Sequence, residues 1–302
     1  MEISVIIPTY NRAKFLKKNL PSLINQRYPK TKFEILICDD GSNDQTKAVV
    51  EKFAAKTHLP CLRYLSQTNQ GPAVARNLGI KQAKGKIIAF TDDDCRPDHN
   101  WLAQIEKSFQ ENPTIAGVGG VTYTEKNKIT PLTYQVENDY EDCFPTCNVA
   151  YSKKILNKVG GFDKIFARVN EDADISWRLG RINQITHNPK MRVLHLPRQT
   201  TFFKELQAIR YLESEFILDE KMTAIYRQKR GNPYRQVLYW YGLRSGIKKI
   251  INDLPWIFKN PLIFLQSLAL IVCQRLYLII LMPGFIARHK QRSNHHKPKL
   301  SN

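Results

Sequence analysis

Ile87-Ile88-Ala89-Phe90-Thr91-Asp92-Asp93-Asp94 decides how this chain is read. A short apolar run that ends in three consecutive carboxylates reads as a buried strand delivering acids to the edge of a sheet. Adjacent carboxylates repel one another, and the nearest basic residue in the sequence is Arg96, so the run calls for a cation. Residues two apart on a strand share a face, which lets Asp92 and Asp94 point the same way. Mg²⁺ or Mn²⁺ is typically held by one or two carboxylates together with substrate phosphates. The alternative is a solvated acidic turn that caps the next helix.

Upstream of this run, apolar strands alternate with segments of helical period. Ile3 to Ile7 reads as a buried strand, and Phe15, Leu16, Leu20, Leu23 and Ile24 recur at helical spacing after it. Phe33 to Cys38 is a second strand, followed by an acidic turn from Asp39 to Asp44 and a helix to about Ala55. Cys61 to Leu65 is a third strand, and Gly71 to Ala83 a helix with Pro72 suited to its first turn. Lys86 to Phe90 is the fourth strand. The alternation predicts a mostly parallel α/β sheet with right-handed crossovers. Ligands of such sheets bind beyond the carboxyl ends of the strands. That is where Thr9-Tyr10-Asn11-Arg12, Asp39-Asp40 and Asp92 to Asp94 all fall.

Downstream, a helix from about Asp98 to Gln110 precedes Ile115 to Val121, a strand whose Gly117, Gly119 and Gly120 allow close backbone approach. Glu125 to Asp142 reads as a mobile polar loop. Asn148-Val149-Ala150, a short helix, Gly160-Gly161-Phe162-Asp163, a helix from Asn170 to Leu179 and a last strand from Arg192 to Leu196 complete the pattern. Glu171 and Asp172 open a helix, where the dipole favours negative charge, so they are read either as caps or as functional acids. Asp174 and Arg178 have the spacing of a helical ion pair. Arg76, taken alone, reads as an ordinary exposed helical arginine. Cys38, Phe90 and Trp177 read as core.

Six strings in order resemble family 2 glycosyltransferases. They are Ser4-Val5-Ile6-Ile7-Pro8-Thr9-Tyr10-Asn11-Arg12, Asp39-Asp40-Gly41-Ser42 with Asp44 and Thr46, and Asn69-Gln70-Gly71-Pro72-Ala73-Val74-Ala75-Arg76-Asn77. Thr91-Asp92-Asp93-Asp94, Gly160-Gly161-Phe162-Asp163 and Glu171-Asp172-Ala173-Asp174 are the others. The resemblance covers about residues 3 to 197 and implies a GT-A fold: Rossmann-like, mostly parallel, with helices on both faces. It implies inverting transfer of a sugar from a nucleoside-diphosphate donor, most often a UDP-sugar, with Mn²⁺ or Mg²⁺ as cofactor. By position, Pro8, Tyr10 and Arg12 would frame the nucleotide pocket and Asp40 would bind the base or ribose side. Arg76 would approach the base or diphosphate, Asp92 the ribose, and Asp93 would lie beside them. Asp94 would hold the metal, with Asp92 and His195 as further ligands. Asp172 matches the general base, with Gly120, Asp163 and Glu171 on the acceptor and donor-sugar side. No Q-x-x-R-W string follows Asp174, which favours single-sugar transfer over processive synthesis.

The domain expectation is a catalytic domain over 1–200, divided near 96 into nucleotide and acceptor halves, and a helical extension over 201–302. The extension is strongly basic: from Lys221 to Asn302 fifteen Lys/Arg face Asp253 alone, giving +14 of the chain's +19. Its charge is interleaved with an apolar run, Leu262 to Ile286, in which fifteen of twenty-five residues are Leu, Ile, Phe or Val. Basic flanks on both sides argue against a simple single crossing. Interfacial helices or a re-entrant hairpin on an anionic, cytoplasmic membrane surface fit better. A helical extension packed on protein is the plainer alternative. A nucleic-acid partner is not expected, because no reader motif accompanies the charge. No signal peptide is expected ahead of Ile3, and scattered cysteines point to a reducing setting. Cys143 and Cys147 lack a second ligand pair at zinc spacing. The expected partners are a nucleotide-sugar donor and a glycan or lipid-linked acceptor. The competing function classes are a sugar nucleotidyltransferase and a non-catalytic scaffold.

Overall fold

Every residue of β1 (Ile3–Thr9) and β2 (Phe33–Asp39) is buried, as strands covered on both faces must be. The computed structural model describes residues 1–56, 60–138, 144–166, 169–235, 245–280, 283, 284 and 287. Between and after these strands come α1 (Ala13–Ile24), α2 (Thr46–Lys56), β3 (Cys61–Ser66), α3 (Pro72–Gln82) and β4 (Ile87–Phe90). β5 (Cys95–Pro97), α4 (Trp101–Glu111), β6 (Gly117–Thr124), β7 (Thr133–Tyr134), β8 (Val149–Ser152), α5 (Lys153–Lys158), α6 (Glu171–Gly180) and β9 (Ile185–His195) follow. The main sheet has the order β3-β2-β1-β4-β8-β6-β9-β5. The first four strands are parallel, as is β6 with β9, while β8 and β5 run antiparallel to their neighbours.

Strand alternation builds a core on each face. Val5, Ile7, Ile35 and Ile37 pack with Leu16 and Leu20 of α1, Val50 of α2 and Trp101 of α4. Ile6, Leu36, Cys38 and Phe90 pack on the other face with Ala75 and Ile80 of α3 and Ile175 and Leu179 of α6. Cys38, Phe90 and Trp177 are therefore core, as their sequence context predicts. Pro8 sits inside a central strand without cost because β4 pairs only as far as Ile6, so no neighbour on that side needs its missing N–H. Gly120 lies at a register shift between β6 and β9, where a Cβ would stand 1.9 Å from the Met191 carbonyl oxygen.

The chain divides into two units, residues 1–126 with 135–197, and residues 127–134 with 198–302. In the second, β7 pairs with β10 (Arg198–Gln199), and the Thr200 amide donates to Leu132 O at 2.9 Å. The polar segment 125–142 is therefore partly ordered, with its middle belonging to the second unit rather than forming a free loop. Residues 139–142 lie outside the described part, as does Cys143. Next come α7 (Phe202–Ala208), a 3-10 turn (Ile209–Glu213) and α8 (Ser214–Arg230), which kinks at Met222. α9 (Pro233–Arg235), α10 (Ser245–Asp253), α11 (Trp256–Lys259) and α12 (Pro261–Ile280) complete it. α12 is one continuous 20-residue helix, so neither Arg275 nor the glutamines break it. The Arg275 guanidinium stays close by, donating to Ile271 O at 2.7 Å.

Candidate active site

Asp92, Asp93 and Asp94 follow β4 in a turn rather than extending it, so the two-residue strand repeat does not govern them. They separate toward different partners. Asp93 accepts from Thr9 Oγ1 at 2.8 Å, and its carbonyl from Asn19 Nδ2 at 2.7 Å. Asp92 meets Arg76 Nη2 at 3.2 Å. Asp94 lies 3.9 Å from Arg12 and 3.6 Å from His195 Nε2. Among the described residues, the arginines at the acids are thus Arg12 and Arg76, brought by other elements. Arg96, nearest in sequence, instead donates to Asn19 Oδ1 at 2.8 Å. Burial and the Asp94 charge push the Asp93 carboxyl up to about 7.

Arg76 corrects its sequence reading most sharply. It is buried, with only 4% of its surface exposed, and its second nitrogen meets Glu171 Oε1 at 3.1 Å. Burial works against its charge, but Asp92 and Glu171 outweigh that and raise its pKa. Burial in turn raises Glu171, with Arg76 opposing and Asp172 adding to the rise. Beside Arg76, Asn77 clamps the Gly160–Asp163 turn: its Nδ2 donates to Phe162 O at 2.8 Å and its Oδ1 accepts from Phe162 N at 2.9 Å. Gly161 has φ +72°, and a Cβ there would meet Asn77 Oδ1 at 2.5 Å. Asp163 is half-buried and accepts from the Ile165 amide at 2.9 Å.

Asp172 is half-buried at the start of α6, one carboxylate oxygen accepting from the Ala173 amide at 2.8 Å. Asn170, with φ 69°, turns the chain into this helix, a conformation asparagine tolerates. Asp174 is committed elsewhere, bonding Arg178 Nε at 2.9 Å in the predicted ion pair. Asp40 accepts from Gln67 Nε2, the Gln70 amide and the Gly71 amide, each at 2.8 Å, and so fixes the loop entering α3. Tyr10 is exposed at the end of β1, and Arg12 half-buried beside it. Asn11, with φ 54°, accepts from the Asn43 amide at 2.9 Å, joining the first two strand ends.

The strand from Arg192 to Leu196 is longer than its apolar residues indicate, running from Ile185 to His195 as β9. Through it His195 faces Cys95 across the β5–β9 ladder. Oxygen, nitrogen and sulfur donors of Asp94, His195 and Cys95 all lie within 4.8 Å of one another, a set whose chemistry fits a divalent cation. Cys95 is the functional candidate that the sequence reading missed. Three residues containing an arginine give no strand signal, and only the pairing with β9 brings the thiol to the site. Burial, Cys147 and the neighbouring aspartates push that thiol well above its ordinary pKa.

The sheet is mostly parallel, and carboxylates gather beyond its strand ends, where ligands of such sheets bind. The glycosyl transferase family 2 model matches residues 4–172, and the chain belongs to that family. It is 39% identical over 185 residues to glycosyltransferase AglE of Haloferax volcanii, covering 58% of this chain and 59% of that protein. It is 44% identical over 94 residues to the poly(ribitol-phosphate) beta-N-acetylglucosaminyltransferase TarS of Staphylococcus aureus, covering 31% of this chain and 16% of that one. The chain thus spans less than two thirds of these relatives. In fold it resembles a mannosyltransferase of Pyrobaculum calidifontis solved with GDP-Man and Mn²⁺, at TM-score 0.61 and 20% identity, over 98% of this chain and 88% of that one. TarS residues 1–349 with UDP give 0.59 and 21%, over 97% and 90%.

Proposed function

We propose that the enzyme performs inverting, metal-dependent transfer of a single sugar from a nucleoside-diphosphate donor, foremost a UDP-sugar, to an acceptor hydroxyl. The carrying observation is that, among the described residues, acids share cations at the strand ends: Asp92 and Glu171 share Arg76, and Asp93 and Asp94 lie beside Arg12. Buried carboxylates in that arrangement are stabilised by a bound cation. Asp94 and His195 would hold Mn²⁺ or Mg²⁺, which when bound offsets charge on the departing diphosphate. Pro8, Tyr10 and Arg12 would border the base, with Asp40 shaping that side through the loop it fixes. Arg76 would stand between the donor and Glu171.

Asp172 serves as the base. It takes the acceptor proton as the hydroxyl oxygen bonds to the anomeric carbon and the bond to the diphosphate oxygen breaks, its electron pair leaving with the diphosphate. Helix α6 presents this carboxylate while Asp174 is retained by Arg178. The acceptor would be a glycan or lipid-linked sugar, in keeping with the polymer named for TarS.

The second unit would attach to the cytoplasmic face of a membrane. α12 has a mean hydropathy of 1.9 with 22% of its most apolar window buried. Leu262, Leu265, Val272, Leu276 and Ile279 are exposed along it, and Ile247 and Ile251 along α10, with Leu254 in the turn that follows. Basic residues stand on both sides, so in-plane binding to anionic lipid fits.

A melting screen of UDP-, GDP- and dTDP-sugars with Mn²⁺ or EDTA tests the donor and metal together. UDP-sugars with Mn²⁺ are expected to stabilise most. Equal stabilisation in EDTA would sink the metal assignment.

A further inference from the structure

The corner around Asp94 contains a sulfur that a diphosphate–metal site does not need. Cys95 Sγ lies 3.8 Å from Asp94 Oδ1, and His195 Nε2 lies 3.6 Å from the same oxygen. Ligands at about 2.0–2.3 Å around a tetrahedral ion stand roughly 3.3–3.8 Å apart; the two spacings to Asp94 match this, and all three donors lie within 4.8 Å of one another. The three side chains are buried, at 3%, 0% and 1% exposure. Their backbone is fixed on both sides: the Leu196 amide donates to Asp94 O at 2.9 Å, and Thr124 Oγ1 donates to His195 O at 2.9 Å. The donors are therefore held together before any ion arrives.

Donor chemistry separates two kinds of ion. Mg²⁺ and Mn²⁺ prefer oxygen and are served by Asp94, an imidazole and phosphate oxygens. An imidazole with a thiolate suits Zn²⁺, which also stands above Mn²⁺ in affinity for mixed donors. We infer that Asp94, Cys95 and His195 together form a thiolate-containing site for a borderline-soft divalent cation of the Zn²⁺ type. The inference rests on the reading of Asp94 and His195 as metal ligands and adds Cys95 to them. On binding, the Cys95 S–H bond breaks, the sulfur lone pair bonds the ion, and the proton leaves to solvent; nothing is oxidised or reduced. Mn²⁺ leaves the thiol protonated. Zn²⁺ and Mn²⁺ then compete for one place, and Zn²⁺ displaces the ion that serves transfer.

Co²⁺, which stands in for Zn²⁺ and reports thiolate ligation by a near-ultraviolet sulfur-to-cobalt charge-transfer band, tests this on the full-length protein. The band is expected to saturate at about one Co²⁺ per chain, to vanish when Zn²⁺ is added, to persist in Cys147→Ser and to be absent in Cys95→Ser. Zn²⁺ affinity should fall at least about tenfold in Cys95→Ser, while Mn²⁺ affinity followed by electron paramagnetic resonance changes by less than about threefold. A band that survives in Cys95→Ser overturns the inference. So does a wild-type protein that binds Mn²⁺ without giving a band with Co²⁺, and in that case the Asp94–His195 site itself stands. Failure to bind either ion removes both. If Cys95→Ser does not fold, His195→Gln keeps the thiol and should still lose at least about tenfold in Zn²⁺ affinity. Unchanged affinity there overturns the inference as well.

Discussion

Both units bury carboxylates, and the acids around Arg76 and Arg12 in the first are satisfied differently from those of the second. In the second unit each buried acid among the described residues has its own partners. Glu215 accepts from Tyr226 at 2.7 Å and from Arg230 at 2.8 Å; Asp219 takes two bonds from Arg227 at 2.7 and 2.9 Å. Asp253 accepts from Ser267 at 2.6 Å and pairs with Lys249 at 3.0 Å. The first unit has acids of this kind too: Glu34 is bonded to Ser4 at 2.7 Å and Arg63 at 3.0 Å, Asp174 to Arg178 Nε at 2.9 Å, and Asp40 to Gln67, Gln70 and Gly71, each at 2.8 Å. Around Arg76 and Arg12 this changes, with Arg76 divided between Asp92 and Glu171, and Asp93 raised to about 7 beside Asp94. A buried acid with its own donors is a staple that completes the fold. Acids that must share a cation are those that a bound cation would stabilise further. Burial alone would rank Glu215 and Asp94 together; partner sharing separates them.

The largest test of that separation is Asp172→Asn. Asparagine caps a helix about as well as aspartate but cannot take the acceptor proton. Turnover is expected to fall by about 10²–10⁴, with nucleotide affinity nearly unchanged. Measuring both on one protein decides the matter, because normal turnover would make Asp172 a staple like those of the second unit. Asp94→Ala comes next. It should abolish the extra stabilisation that Mn²⁺ gives to UDP binding, worth about 2.7 kcal/mol at a hundredfold excess over Kd, while the protein stays folded.

The sequence carries this distinction only in part. Buried strands such as Ile3–Ile7 and Phe33–Cys38 announce themselves because both faces are covered and every residue but Ser4 and Glu34 is apolar. The clusters beyond them follow from sheet geometry, and the resemblance names their members. Partner sharing depends on long-range contacts and is silent in the string. Arg76 meets Glu171 ninety-five positions away, and Cys95 meets His195 only through a three-residue strand. The first half of β9 is hidden because Thr186 to Lys190, including Pro189, offers no continuous apolar signal. The middle of the polar segment, Thr133–Tyr134, pairs with two residues beyond the catalytic sheet, which no local pattern encodes.

Glu215→Gln probes the staple side of the comparison. It keeps the shape but removes the charge that Arg230 and Tyr226 bond, so stability should fall by roughly 1.5–3 kcal/mol in denaturant unfolding. Nucleotide-dependent stabilisation and turnover should stay unchanged. A loss of nucleotide binding would show that the second unit's acids serve the site, and the comparison would fail.

The smallest expected effect sharpens the same contrast among cations. Lys248 is exposed on α10, whereas Lys249 next to it pairs with Asp253 at 3.0 Å and donates to Pro131 O at 2.8 Å. Each glutamine substitution removes one positive charge, so a mere count of charge predicts equal effects. If the second unit meets an anionic membrane, the unpaired charge acts on lipid, and each such lysine contributes about 1 kcal/mol near the surface. Lys248→Gln should then weaken partition onto phosphatidylserine vesicles about fivefold and leave the melting temperature alone. Lys249→Gln should do the reverse, with little change in partition and a stability loss below about 1 kcal/mol, because its charge is already spent on Asp253 and is partly screened by solvent. Vesicle sedimentation and melting curves on the two variants read this directly. Equal partition losses would mean that pairing does not divide structural from available charge in this unit, and an unchanged partition for both would remove the anionic surface as its partner.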